Sequence, residues 1–365
     1  MFNLILLVHA VGLAIYTQFT HLTAVPGFHF DEAWQALFAN RIATEPGFWP
    51  LEAMNSYTTP VIHYLLAASF KFFGPTLTTL RATLGALNIL TLLIIVLLLR
   101  SAHQRRAAWI FALLWALLPL SVHNHRFYIE VTALHGFCFA LCLWGFFYWK
   151  EKPFFSTLLL CLGFVLGVSS HIVFICTFVS AMILWASFYP ESFLQHRARN
   201  LVMLITLSFV PLTLRMAFGL NKPLPYILAA LLLALSIAPK TKLWKFTPLI
   251  AQFALRFLTI VALPILMFFA ILHWNGNWPY AQATGELASL WIPFNLLLIG
   301  FALYLEFYFK SPKTTHTIWS AFLILTVLTS AIILKPSPRF FMLPAILAMI
   351  WVSLKLASVA EEKFI

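Results

Sequence analysis

Apolar residues run through this chain in long, nearly unbroken blocks, and polar residues gather in the short gaps between them. Blocks bounded by charge, Pro or Trp lie near 2–20, 77–99, 107–124, 129–149, 154–170, 171–189, 200–218, 224–239, 248–272, 287–309, 317–334 and 339–358. A helix needs about 20 mostly apolar residues to cross a bilayer, and most blocks approach that length. The pattern predicts an all-α, polytopic transmembrane helix bundle of about 12 spans. Composition closes the alternatives. The 365 residues are 62% hydrophobic and 9% charged, against about 25% charged in a soluble domain. A water-soluble enzyme, a disordered tail and a secreted disulfide scaffold are excluded. Twelve spans would use roughly 240 residues, so residues 1–365 are expected to form a single transmembrane domain with no separate soluble domain.

The first block, Phe2 to Tyr16, lacks a basic leading segment and a convincing small-x-small cleavage site, so it reads as an uncleaved span. Cys138, Cys142, Cys161 and Cys176 all lie in apolar blocks and read as small core residues, not as a disulfide or zinc set.

One stretch resists assignment by hydropathy alone. Pro60 to Phe73 is short, carries His63 and Lys71, and ends at Gly74-Pro75. Sidedness decides it. If 60–73 lies in the membrane interface as an amphipathic helix, the loops carrying Arg100/Arg105/Arg106, Lys150/Lys152, Arg197/Arg199, Lys240/Lys242/Lys245, Lys310/Lys313 and Lys363 all share one side. They hold thirteen of the 23 basic residues. Positive loops mark the cytoplasm, so both termini fall there. The excess of 23 Lys and Arg over 11 acids then follows membrane sidedness rather than nucleic-acid binding. The outer side gains a long first loop, 21–76, with interfacial helices and an acidic pair.

That pair contains the only aspartate of the chain, Asp31, followed by Glu32. Trp34, Leu37, Phe38 and Arg41/Ile42 recur at helical spacing behind it, so Asp31 reads as an N-cap. By itself this describes a capped interfacial helix with a solvated acid pair. A further outer acid, Glu130, enters the fourth span four residues after Arg126, a spacing that suits a simple ion pair. An ionisable residue entering an apolar span is also a functional candidate. His171 sits at a turn after Gly167-Val168-Ser169-Ser170, and Arg81 and Arg339 stand at span mouths.

The order of these features is specific. Phe30-Asp31-Glu32-Ala33 comes first, then Pro60-Val61-Ile62-His63-Tyr64, Lys71-Phe72-Phe73-Gly74 and Leu80-Arg81-Ala82. Pro119-Leu120 then precedes Arg126 and Glu130, and Pro338-Arg339-Phe340-Phe341 comes near the end. The succession resembles the GT-C class of glycosyltransferases, and within it the branch of protein O-mannosyltransferases and aminoarabinose lipid A transferases, most continuously over residues 28–190. The resemblance implies a polyprenyl-phosphate-sugar-dependent glycosyltransferase with a periplasm-facing site, and the compactness of the chain favours a multi-pass protein of a bacterial inner membrane. The resemblance also implies catalytic roles for Asp31, Glu32 and Glu130, with Asp31 as base. It implies donor phosphate contacts from Arg126, His171 and Arg339, and a substrate groove lined by His63, Tyr64, Lys71 and Arg81. Thr58-Thr59-Pro60 departs from the Glu-Lys-Pro often found in the lipid A branch. The implied partners are a polyprenyl-phosphate sugar donor, a lipid, glycan or protein hydroxyl as acceptor, and membrane lipids, with no nucleic acid. Some relatives hold Mg²⁺ or Mn²⁺ on outer acids; no cofactor is expected here, because two carboxylates on separate segments make a poor metal site.

Such a donor sets its own chemical demand. Phosphate is already a good leaving group, so no general acid must protonate it. A carboxylate must take the proton of the attacking hydroxyl, and cations must hold the departing phosphate. The outcome would be single displacement with inversion. A transporter or flippase for a lipid-linked sugar is the alternative, since it shares the lipid groove and the phosphate-binding cations.

Overall fold

The computed structural model describes residues 2–24, 30–51, 53, 59–118, 133–149, 151–174, 176–177, 180–181, 318, 321–322, 325 and 342–362. Among them every regular element is helical: α1 (Phe2–Phe19), α2 (Phe30–Thr44), α3 (Val61–Phe73), α4 (Leu77–Ser101), α5 (Arg105–Leu117), α6 (Ala133–Phe147), α7 (Pro153–Ser170), a 3₁₀ turn (Ile172–Phe174) and α8 (Met342–Glu362). These match the blocks expected near 2–20, 77–99, 107–124, 129–149, 154–170 and 339–358, and the short helix expected at 60–73. The blocks at 200–218, 224–239, 248–272 and 287–309 lie outside the described residues, that at 317–334 almost wholly so, and that at 171–189 is described only at 171–174, 176–177 and 180–181.

Among the described residues two helices, α1 and α4, are long and apolar enough to cross a membrane. On α1 the buried residues Leu7, Ala10, Ala14 and Gln18 recur every three or four positions and form one inward stripe. The opposite side leaves Phe2, Leu4, Ile5, Val8, Ile15, Tyr16 and Phe19 exposed. On α4, Leu90, Leu93 and Leu97 form an outward stripe while the other faces are buried. Soluble monomers rarely expose such continuous apolar surface, whereas lipid tails accept it. A bilayer also removes the hydrophobic drive between helices, so close packing and polar contacts must join them. Both are present. Asn88 Nδ2 of α4 donates to Gln18 Oε1 of α1 at 3.0 Å, and both residues are buried. Helix α7 carries Gly163-x-x-x-Gly167, spaced one turn apart. A Cβ on Gly163 would lie 2.6 Å from Cys142 Sγ of α6 and 2.7 Å from the Cys138 carbonyl oxygen, and one on Gly167 2.5 Å from the Phe174 ring. Only glycine permits both approaches.

Helix α4 is the centre of the described bundle, with α1, α3, α5 and α6 packed around it; α7 lies on α6, and α8 on α5 and α6. One apolar core runs through these elements. The four cysteines form no disulfide, and Cys138, Cys142 and Cys176 are buried.

Helix α3 is 13 residues long, about 20 Å at 1.5 Å per residue, too short for a hydrocarbon core of about 30 Å. Ile62, His63, Leu66, Ala67 and Phe70 make its buried face, while Phe72 and Phe73 at its end are among the most exposed large hydrophobic residues described. Gly74, at φ +83°, ends the helix. Thr76 then starts α4, its side chain accepting from the Thr79 amide at 3.1 Å.

Candidate functional site

Helix α2 starts at Phe30 rather than just after Asp31, so the acid pair lies inside its first turn. Carboxylates there oppose the positive end of the helix dipole. Successive helical residues project about 100° apart, and the two acids have different surroundings. Glu32 is fully buried. Its Oε1 accepts from Arg81 Nε and its Oε2 from Arg81 Nη2, each at 2.7 Å. This is the two-pronged geometry in which Arg and carboxylate pair most strongly. Arg81 Nη1 donates to the Leu22 carbonyl, also at 2.7 Å. One guanidinium therefore joins the exit of α1, the start of α2 and the first turns of α4. Asp31, one position earlier, is half-buried.

The clamp also sets how α2 is rotated. With Glu32 inward, Gln35, Phe38, Ala39 and Ile42 are buried, while Leu37 and Arg41 are exposed. The face expected from spacing, which joined Leu37 and Arg41 to Trp34 and Phe38, is corrected accordingly. Arg41 turns outward, bonds Glu45 at 2.8 and 3.0 Å, and lies over the Phe48 ring at 4.4 Å.

Helix α3 meets α2 through His63. Its ring stands edge-on to Phe38 at 4.9 Å and to Trp34 at 6.1 Å. The ring is fully buried, and neither nitrogen has a hydrogen-bond partner. Burial pushes its pKa down to about 4, because a charged imidazole would lose its hydration without compensation. Tyr64, half-buried, donates its hydroxyl to the Pro50 carbonyl at 2.8 Å and stacks on Trp49 at 6.2 Å. Lys71 is exposed in the last turn of α3. Of the four residues expected to line a groove, Arg81 and His63 are thus internal, and Tyr64 and Lys71 are open to different degrees.

His171 ends α7. Its backbone is extended, at φ −163° and ψ 139°, and its side chain is buried. The Val173 amide donates to His171 Nδ1 at 3.2 Å, and the ring stands edge-on to His135 at 6.2 Å. Thr59, two residues before α3, reaches the same turn: its amide and hydroxyl both donate to the Ser169 carbonyl, at 2.9 and 2.5 Å. The structure therefore brings Asp31, Glu32, Arg81 and His63 to the junction of α2, α3 and α4, and ties His171's turn to the start of α3. Arg126, Glu130 and Arg339 lie outside the described residues. Among the described residues, no group of three or more His, Cys, Asp or Glu could hold a metal ion.

The packing roles of Thr59, His135 and the Gly163/Gly167 pair escaped sequence reasoning. The glycine spacing was visible in the sequence; the two other positions gain meaning only from contacts across helices.

No protein-family profile and no curated protein matches this chain. Among solved structures, the crystal structure of the Archaeoglobus fulgidus oligosaccharyltransferase, in complex with Zn and sulfate, is similar, with a TM-score of 0.55 and 18% identity. The match covers 98% of this chain and 49% of that one, so the chain spans about half the length of that protein. At this identity the likeness is one of fold. That neighbour is of the GT-C class, the class that the order of sequence motifs resembled.

Proposed function

We propose that this protein is a polyprenyl-phosphate-sugar-dependent glycosyltransferase that works on the outer face of a bacterial inner membrane and inverts the anomeric carbon. The observation that carries the reading is the division of labour within the first turn of α2. Glu32 is fully buried and paired with Arg81, whereas Asp31 in the same turn is half-buried, and this reading takes Asp31 as the base. The oligosaccharyltransferase-like fold supports the same class.

In this reading the acceptor hydroxyl attacks the anomeric carbon while Asp31 takes its proton. The C1–O bond breaks, and its electron pair leaves on the polyprenyl phosphate. Glu130 orients the sugar or the acceptor, and Arg126, His171 and Arg339 hold the phosphate. Glu32, which the motif resemblance grouped with the catalytic acids, becomes a positioning residue that fixes Asp31's helix to α4. Tyr64 and Lys71 border the path of the lipid tail. The acceptor is a lipid, glycan or protein hydroxyl.

The test is turnover by purified protein in detergent, supplied with a polyprenyl-phosphate sugar and a hydroxyl acceptor. Product formation separates a transferase from a flippase, which would give none. Asp31→Asn is expected to lower the rate by about 10²–10⁴, the usual worth of a positioned base, while the protein remains folded. Near-normal turnover by that variant would reject the assignment. Turnover is also expected to persist in excess chelator; a loss restored by Mg²⁺ or Mn²⁺ would instead place a cation on the outer acids.

A further inference from the structure

The end of α7 contains a small exchange of hydrogen bonds. In a continuing α-helix the Ser169 carbonyl would accept from the Val173 amide, four residues on. Here both lone pairs of that carbonyl are taken by Thr59, one by its amide at 2.9 Å and one by its hydroxyl at 2.5 Å. The Val173 amide goes instead to His171 Nδ1 at 3.2 Å. An imidazole nitrogen that accepts an N–H carries no proton of its own. A ring that accepts at Nδ1 and stays neutral carries its single proton on Nε2. The extended backbone at His171 and the close seat of Phe174 over Gly167 keep the turn in this shape.

We propose that Thr59 is the positioning residue of His171: by filling the Ser169 carbonyl it directs the Val173 amide onto Nδ1 and presents the histidine as a neutral Nε2–H donor. The donor's use rests on the reading above, in which His171 meets a phosphate oxygen. A neutral donor suits a buried site, because it contributes a hydrogen bond without the cost of burying a charge. It also gives a purpose to the threonine that stands in the Thr58-Thr59-Pro60 segment. Thr59 acts at both ends of one strut: α3 begins beside His171's turn, and one turn later His63 packs on α2.

The experiment uses the full chain in detergent with ¹⁵N-labelled histidine. The His171 ring signals are assigned by their loss in His171→Gln. In the wild type, Nδ1 should resonate as an unprotonated nitrogen and Nε2 as a protonated one. Thr59→Ser, which keeps the hydroxyl, should preserve that pattern. Thr59→Val, which opens one lone pair of the Ser169 carbonyl, should shift His171 toward a mixture of tautomers. A wild-type His171 protonated at Nδ1 would overturn the proposal, and so would a Thr59→Val spectrum identical to wild type. The wild-type spectrum decides the first point even if Thr59→Val fails to fold. Binding of farnesyl phosphate to the same proteins then tests the use of the donor. Affinity should fall in Thr59→Val in proportion to the lost Nε2–H population, about twofold for an even mixture, and hold in Thr59→Ser. A tautomer change in proteins that bind no farnesyl phosphate would uphold Thr59's role and sink the phosphate reading.

Discussion

Glu32 and Arg81, 49 positions apart, face each other through two hydrogen bonds of 2.7 Å with both side chains fully buried. Such a pair is costly to bury and more costly to break, because removal of one partner strands the other charge. Its value here is geometric: it fixes the first turn of α2, and with it Asp31, against the first turns of the central helix.

Single substitution at either end is therefore expected to destabilise strongly, by about 3–5 kcal/mol. Glu32→Leu combined with Arg81→Met should cost less than either change alone, since no lone charge remains. Thermal denaturation of the four proteins in detergent measures the cycle. Additive losses would show that the two side chains do not act as a pair.

The seam between α2 and α3 should respond to acid. His63 titrates near 6.5 in an unfolded chain and near 4 in the folded one. Between those values the unfolded state binds the extra proton. Stability is thus full above about pH 6.5 and declines as pH falls, the loss reaching about 3 kcal/mol near pH 4. His63→Phe should remove this part of the pH dependence. Melting temperatures of both proteins at pH 7.5 and 4.5 give the answer; equal acid sensitivity would exclude His63 as its source.

Gly167→Ala places a methyl group 2.5 Å from the Phe174 ring, so either the ring or the turn must move. A loss of about 1–3 kcal/mol, typical of overpacking, is expected in the same melting assay. An unchanged melting temperature would mean that the turn yields freely.

These cases separate what the chain states locally from what it leaves to packing. Pro60 and Gly74-Pro75 punctuate the sequence, and α3 occupies Val61–Phe73 between them. The blocks that became α1, α4 and α7 were equally plain, because hydropathy is a property of neighbours in sequence. The acidic pair was visible, yet its two members have unlike surroundings. Nothing near Glu32 announces a partner 49 residues away, and spacing alone rotated α2 so that Leu37 would have been buried. His63 was legible as a polar residue on a short apolar helix, but its place between Trp34 and Phe38 comes from the contact of two helices. Thr59 was noticed only as a departure from a motif; its contact with Ser169 required the fold.

The Thr59–Ser169 contact has a consequence for how the protein is made. Its partners are 110 positions apart, so the bond cannot form until α4, α5, α6 and α7 have all been synthesised. The Glu32–Arg81 clamp needs only the chain through the start of α4. During biosynthesis the partners of the clamp are therefore present before those of the brace. A nascent chain arrested between these two points holds both Glu32 and Arg81 while its histidine turn has yet to be synthesised.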